Sequence, residues 1–237
     1  MIANAAPWSY ALKMLYLEYF PEDSLFEVYG STELGVNTIL RPEFQRSKKG
    51  SCGRPAPGVE IALLDEEGNR ITMSDKEGEL FVRSASVFST YYKAADKFEE
   101  DRREGGWQTV GDIAYFDDEG FYYICDRKKD MIISGGVNIY PAEIEAVLEQ
   151  HPDVIDVAVF GVPSEQWGEA VHAEIVVRPG TSLDAQAVMA YGREHLAGYK
   201  VPRSVKFVAD IPRTGTGKIL KRELRKPYWA GYGARVG

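Results

Sequence analysis

Cysteine is scarce: Cys52 and Cys125 are the only two among 237 residues. They form no C-x-x-C pair and no metal-ligand spacing, which excludes a zinc module and a disulfide-held scaffold. Two reduced thiols in a cytoplasmic protein are the expectation. Histidine is nearly as sparse, and His151, His172 and His195 share no ligand spacing, so packing or surface roles are expected of them. No apolar run approaches the roughly 20 residues that span a bilayer, so no transmembrane segment is expected. Met1 to Pro7 carries no basic stretch of a secretory leader. Positive charge is also short. The net charge is −8, and basic residues gather only from Lys218 to Lys226, which argues against a general nucleic-acid binder. Repeats and low-complexity linkers are absent.

The chain is long enough for one large or two modest domains, each with its own core. One stretch, DRKKDMIISGGVNIYP from Asp126 to Pro141, divides it. It reads as a strand end, a polar crossover, a short buried strand, a glycine turn and a helix start. Before it, Trp8, Leu12, Leu15, Tyr16 and Tyr19 recur at helical spacing and predict a helix over Pro7 to Phe20 with those residues buried. A short strand, Leu25 to Val28, runs into Tyr29-Gly30-Ser31-Thr32-Glu33-Leu34-Gly35. Residues from about 54 to 126 read as β-rich. Strands are expected over Val59–Leu64 and Gly78–Arg83, one or two helical turns over Ala94–Glu100, and a hairpin over Trp107–Cys125 with Asp117 to Gly120 at its tip. Such spacing suggests a small barrel or sandwich. After Pro141 the pattern is α+β: a helix faced by Ile144, Val147 and Leu148, strands over Val154–Phe160, Ala170–Val177 and Val205–Val208, and a helix over Ala185–Ala197. The whole reads as a mixed α+β or α/β protein with domains over 1–126 and 127–237.

Several strings carry chemistry. A strand ending in a glycine turn presents backbone N–H groups to an anion. Beside it, Tyr29 offers a flat face to a base, Thr32 a hydroxyl to a phosphate, and Glu33 a hard carboxylate suited to Mg²⁺. Alone, the string is equally compatible with a decorated turn. In Thr109-Val110-Gly111-Asp112, an aspartate after a glycine can accept from both hydroxyls of a ribose, or can simply cap a turn. Arg127 is a planar donor fork, within what is otherwise a solvated charge cluster. Near the end, Pro212 to Arg222 delivers Lys218 on a glycine-rich loop without Walker spacing.

Taken in order, YGSTE, TVGD, the arginine at 127 with its glycine pair, and TGTGKILKR resemble the adenylate-forming, AMP-binding superfamily over essentially the whole chain. The superfamily includes acyl-CoA synthetases, luciferases and peptide adenylation domains. The resemblance implies that Tyr29 stacks on adenine, Thr32 touches phosphate, Glu33 holds magnesium, and Asp112 and Arg127 contact the ribose. It implies a small-residue adenine-pocket loop at Ala5-Ala6-Pro7, acyl contacts from Leu34 to Thr38, and a pantetheine tunnel lined by Gly136. It further implies that the C-terminal domain turns about Lys129, and that Lys218 stabilises the charge built on the α-phosphate when a carboxylate attacks it. The implied partners are a carboxylic acid, ATP or AMP, Mg²⁺ and coenzyme A. Catalysis then rests on positioning and electrostatics.

One departure stands out. The superfamily's Ser/Thr/Gly-rich phosphate loop belongs upstream of YGSTE, and no such segment precedes Tyr29. A fragment, or one half of a split enzyme with a missing N-terminal partner, is therefore expected, with weak nucleotide binding and little adenylation by this chain alone. A nonribosomal adenylation domain and a non-catalytic nucleotide-binding or regulatory module stand as alternatives.

Overall fold

Strand pairing more than helix packing builds the first part of the chain. The computed structural model describes residues 1–4, 10–215 and 217–232. Contacts divide the chain into two units, 1–128 and 129–237. No helix among the described residues is long and apolar enough to cross a membrane.

In the first unit, β1 (Ile2–Ala3) precedes α1 (Tyr10–Tyr19), and then β2 (Phe26–Ser31), β3 (Gly35–Leu40) and β4 (Arg54–Pro55) follow. They form one sheet in the order β1-β2-β3-β4, parallel only between β1 and β2. The expected strand at Leu25–Val28 is thus longer and carries Tyr29, Gly30 and Ser31 within it. Helix α1 exists, but its buried face differs from the expected one. Leu12, Leu15 and Tyr19 are 52%, 48% and 77% exposed, whereas Lys13 and Leu17 are buried. Leu17 packs with Ala3 and Leu25, against which Met14 and Tyr16 also lie. The periodicity rewarded the largest apolar side chains. It did not anticipate a lysine whose stem packs inward while its ammonium pairs with Glu27. Trp8 lies outside the described residues.

The second sheet of this unit takes β5 (Glu60–Leu64), β6 (Gly78–Arg83), β7 (Arg102–Arg103), β8 (Trp107–Gln108), β9 (Asp112–Phe116) and β10 (Tyr122–Arg127), with α2 (Ala95–Glu100) between β6 and β7. Its order is β10-β9-β6-β8-β7 with β5 on β6, an open path and not a closed barrel. The core beneath it joins Ile61, Leu63, Leu80, Val82 and Ala114 to Leu34 of the β2–β3 turn, with Tyr29 packed against the same cluster. The motif strand is therefore fixed to this sheet by apolar contact.

The second unit begins with β11 (Ile132–Ser134) and β12 (Val137–Ile139), followed by α3 (Pro141–Leu148), β13 (Val154–Ser164), β14 (Gly168–Val177), α4 (Ala185–His195), β15 (Ser204–Phe207) and α5 (Lys221–Trp229). Pro141 takes the first helical position of α3, where its missing N–H costs nothing. Asp184 caps α4 by accepting from the Ala187 N–H at 2.8 Å. The sheet order is β12-β11-β14-β13 with β15 on β14. Alternation along β13 buries both faces. Val157 and Val159 meet Ile144, Leu148 and Val188 on one side, while Ala158 and Phe160 meet Ile211 and Leu224 on the other. Phe160 is fully buried, so Phe160→Ala is expected to destabilise this unit by about 3–5 kcal/mol. Chemical denaturation followed by the fluorescence of Trp229 tests this.

Candidate functional site

The β2–β3 turn is dictated by backbone sterics. A β-bulge falls between Tyr29 and Gly30. A side chain at Gly30 would place its Cβ 2.1 Å from the Gly35 carbonyl oxygen, and Gly35 itself sits at φ +71°. Only glycine suits both positions. Ser31 Oγ accepts the Leu34 N–H at 3.1 Å, closing the turn locally. Thr32 is exposed at the tip and Glu33 is half-buried. Gly30→Ala is expected to disrupt this turn while leaving the second unit folded. Near-ultraviolet circular dichroism together with proteolysis of the first unit checks it.

Glu33 is held by neighbours that the sequence did not reveal. The Tyr91 hydroxyl donates to its Oε1 at 3.0 Å, and its carbonyl accepts the Phe88 N–H at 2.8 Å. Burial works to raise the Glu33 carboxyl. Its own backbone N–H, the hydroxyls of Tyr91 and Ser31, and the charge of Arg127 together hold it below the ordinary carboxylate range. The group is thus an ionised hard oxygen donor. Among the described residues no cluster of three or more metal-binding side chains occurs. Mg²⁺ does not require one, since it keeps several waters and is commonly bound by one or two carboxylates plus phosphate oxygens. Glu33 fits that part.

Strand register assembles the rest. In the β9–β10 hairpin, Asp112 and Arg127 lie directly opposite each other. Arg127 Nε stands 3.4 Å from Asp112 Oδ1, and the Tyr29 hydroxyl donates to Asp112 Oδ2 at 2.5 Å. Asp112 is 7% exposed, and the Arg127 side chain is 38% exposed. A backbone clasp sets the approach: Lys128 N–H donates to the Gly111 carbonyl at 2.7 Å, and Gly111 N–H to Thr109 Oγ1 at 2.9 Å. Burial, the Asp112 charge and the hydrogen bond to it push the Tyr29 hydroxyl well above its usual range, so it stays a donor at neutral pH. A carboxylate has about four acceptor positions, and a guanidinium beside it supplies planar donors, a pairing suited to a sugar diol.

Of the expected residues, the structure brings Tyr29, Asp112 and Arg127 into one contact group, with Glu33 within reach of the charge of Arg127. Ala5 to Pro7 lie outside the described residues. Within Leu34 to Thr38, Thr38 donates to the Cys52 carbonyl at 2.6 Å. Asn37 is fully buried, yet neither polar atom of its side chain has a hydrogen-bond partner among the described residues. Burial pushes the Cys52 thiol up to about 12. At pH 8 it should hold on the order of 10³-fold less thiolate than a free thiol of pKa about 8.5. Thiol titration with mass mapping should find Cys52 modified far more slowly in the folded protein than after denaturation.

Lys129, Gly136 and Lys218 belong to the second unit. Gly136 has φ +81° and open space where a side chain would be, whereas a Cβ at Gly135 would lie 2.8 Å from the Trp167 ring. The loop of Lys218 is a hydrogen-bonded turn. Thr214 N–H donates to the Lys218 carbonyl at 2.8 Å, Lys218 N–H donates to Thr214 Oγ1 at 3.1 Å, and Arg213 bridges Gly217 O and Asp156 Oδ1 at 2.7 and 2.6 Å. The Lys218 side chain is exposed.

Comparison with known proteins follows this geometry. Residues 1–92 match the family described as AMP-binding enzyme, and residues 143–218 the AMP-binding enzyme C-terminal domain. A 2-succinylbenzoate–CoA ligase of Geobacillus kaustophilus is 40% identical over 85% of this chain and 41% of its own length. A long-chain-fatty-acid–CoA ligase of Mycobacterium tuberculosis is 40% identical over 97% of this chain and 44% of its own. The o-succinylbenzoate CoA synthetase of Bacillus subtilis, solved with its acyl-adenylate intermediate, superposes with a TM-score of 0.84 at 34% identity, covering 100% of this chain and 46% of that one. The same enzyme with ATP and magnesium ion gives 0.83 at 34%, covering 94% and 45%. An amide bond synthetase of Marinactinospora thermotolerans gives 0.85 at 34%, covering 96% and 46%. The chain thus spans under half the length of these relatives. It belongs to the adenylate-forming, AMP-binding enzymes, its sequence corresponding to the C-terminal portion of the family's acyl-CoA synthetases.

Proposed function

We propose that this chain serves an ATP-dependent acid–thiol ligase, which joins a carboxylic acid to AMP with release of pyrophosphate and then passes the acyl group to coenzyme A. The contact group of Tyr29, Asp112 and Arg127 carries this reading: a buried carboxylate flanked by a phenol and a guanidinium suits an adenine nucleoside. In it Asp112 and Arg127 hold the ribose, the ring of Tyr29 lies on the base, Thr32 meets phosphate and Glu33 binds Mg²⁺, which when bound screens phosphate charge. Gly136 leaves room for the pantetheine thiol, Lys218 supplies a cation to the α-phosphate, and Lys129 is the pivot between the two domains. The buried side chain of Asn37, without a partner among the described residues, supports reading a polar contact in the acyl segment Leu34 to Thr38, since buried polar groups ordinarily find partners.

Calorimetric titration with AMP and with its 2′,3′-dideoxy analogue tests the ribose grip. Hydrogen bonds to charged groups contribute roughly 1.5–3 kcal/mol each, so AMP should bind at least tenfold tighter. Equal affinity would remove the basis of the reading. Because no phosphate loop lies among its residues upstream of Tyr29, this chain alone is expected to show no robust ATP–pyrophosphate exchange with a panel of carboxylic acids. A second reading transfers the acyl group to an amine, as the likeness to an amide bond synthetase allows. Product analysis with coenzyme A and an amine in competition separates the two.

A further inference from the structure

Helix α5 is fastened to its unit along its length. Lys221 pairs with Glu145 at 2.9 Å, Leu224 packs on Phe160 and Ala158, the Tyr228 hydroxyl donates to Glu174 at 3.0 Å, and Trp229 Nε1 donates to the Gly161 carbonyl at 3.1 Å. Just before it, Leu220 N–H donates to the Pro212 carbonyl at 2.8 Å, closing the base of the turn that carries Lys218. From the middle of this helix Arg225 reaches back 96 positions in sequence. It donates to the Lys129 carbonyl at 3.1 Å, and to the Asp130 carbonyl and carboxylate at 3.4 and 2.7 Å. Both side chains are largely buried, at 12% and 18% exposure, while Arg225 Nε is buried with no partner among the described residues. A buried ion pair is weak evidence of stability, and fixing a unique geometry is a better-attested use.

The geometry fixed is that of the backbone. Holding the carbonyls of Lys129 and Asp130 locks the peptide plane between them, and with it the torsions of Asp130, to the body that carries Lys218. In the first unit, the bond from Lys128 N–H to Gly111 O locks the plane before Lys128 in the same way. We propose that Arg225 is a positioning residue that sets the C-terminal limit of the hinge, leaving the φ and ψ of Lys128 and Lys129 as the pivot. A hinge of a few residues absorbing large torsion changes is an ordinary way to swing a domain. The proposal rests on reading Lys129 as the pivot.

The test uses the whole chain, with Cys52 and Cys125 replaced by serine and spin labels on Lys76→Cys and Glu194→Cys, one exposed site in each unit. Pulsed electron resonance gives the distribution of distances between them. Arg225→Lys keeps the charge but replaces the two nitrogens of a planar fork by a single one, which loses the fixed geometry of the three contacts. It should broaden that distribution by at least half, and leave a control pair within the second unit, Arg178→Cys with Glu194→Cys, unchanged. An unchanged width, or equal broadening of the control pair, would overturn the proposal. Should Arg225→Lys fail to fold, Asp130→Asn decides by the same measurement. No ligand is needed, so failure here is distinct from a failure of the AMP titration.

Discussion

Asp112→Asn is expected to lower the affinity for AMP by about 10²-fold or more. Two hydrogen bonds from a ribose diol to a carboxylate are together worth roughly 3–6 kcal/mol, and an amide has one acceptor oxygen where the carboxylate has two. The substitution keeps the volume of a residue that is 7% exposed, so no cavity opens. It also takes the anion away from Arg127, whose 38% exposure lets water solvate the guanidinium. The Tyr29 hydroxyl keeps an acceptor if the amide oxygen turns toward it. Stability should therefore fall by only about 1–3 kcal/mol, while binding collapses. Tyr29→Phe separates the roles further: it removes the donor to Asp112 but keeps the ring, and should cost AMP affinity less than tenfold. Calorimetry with AMP alongside thermal unfolding measures both quantities. If Asp112→Asn bound AMP within threefold of the parent while losing stability, the carboxylate would be a turn-capping group.

The pairing behind that prediction was partly visible in the residues themselves. The hairpin was readable from its tip, Asp117 to Gly120, but a bulge between Ile124 and Asp126 shifts the register that the tip sets, and this shift puts Arg127 opposite Asp112. Gly30 and Gly35 were likewise legible as a turn. The bond from Tyr29 to Asp112 was not, because 83 positions separate the partners and no local rule places β2 against β9. Tyr91 was missed for the same reason: its hold on Glu33 depends on where residues 84 to 91 return to the β2–β3 turn. Helix α1 was readable as a helix but not in its orientation. Periodicity scores side chains by polarity, and Lys13 buries a stem that such a score counts as polar. The second unit fared better: the continuous apolar run from Val157 to Phe160 reads as a strand, and β13 is buried there on both faces.

Lys218→Ala is expected to lower the rate of adenylation by at least about 10²–10³-fold, the loss typical of removing one preorganised stabilising donor. The test requires a protein that contains this chain and performs both half-reactions. When a carboxylate oxygen attacks the α-phosphorus, negative charge grows on the non-bridging oxygens as the bond to pyrophosphate breaks, and an ammonium placed there lowers that barrier. Transfer of the acyl group from a preformed adenylate to a thiol develops its charge at the carbonyl carbon's oxygen instead. In the proposed cycle it follows rotation about Lys129, when Lys218 no longer serves the phosphate. ATP–pyrophosphate exchange should thus disappear, while thioester formation from added acyl-adenylate stays within a few fold of the parent. The structure makes this variant clean. The turn is held by the backbone N–H and carbonyl of Lys218 with Thr214, and by Arg213 with Asp156. None of these bonds uses the lysine side chain, which is exposed, so its truncation should leave stability within about 0.5 kcal/mol. Lys218→Arg adds a sharper test: if charge alone were needed, arginine would restore exchange, whereas a geometric demand for a compact ammonium leaves it impaired. Equal loss in both half-reactions for Lys218→Ala would show that the side chain supports the fold or the transfer step, and the assignment to the α-phosphate would fail.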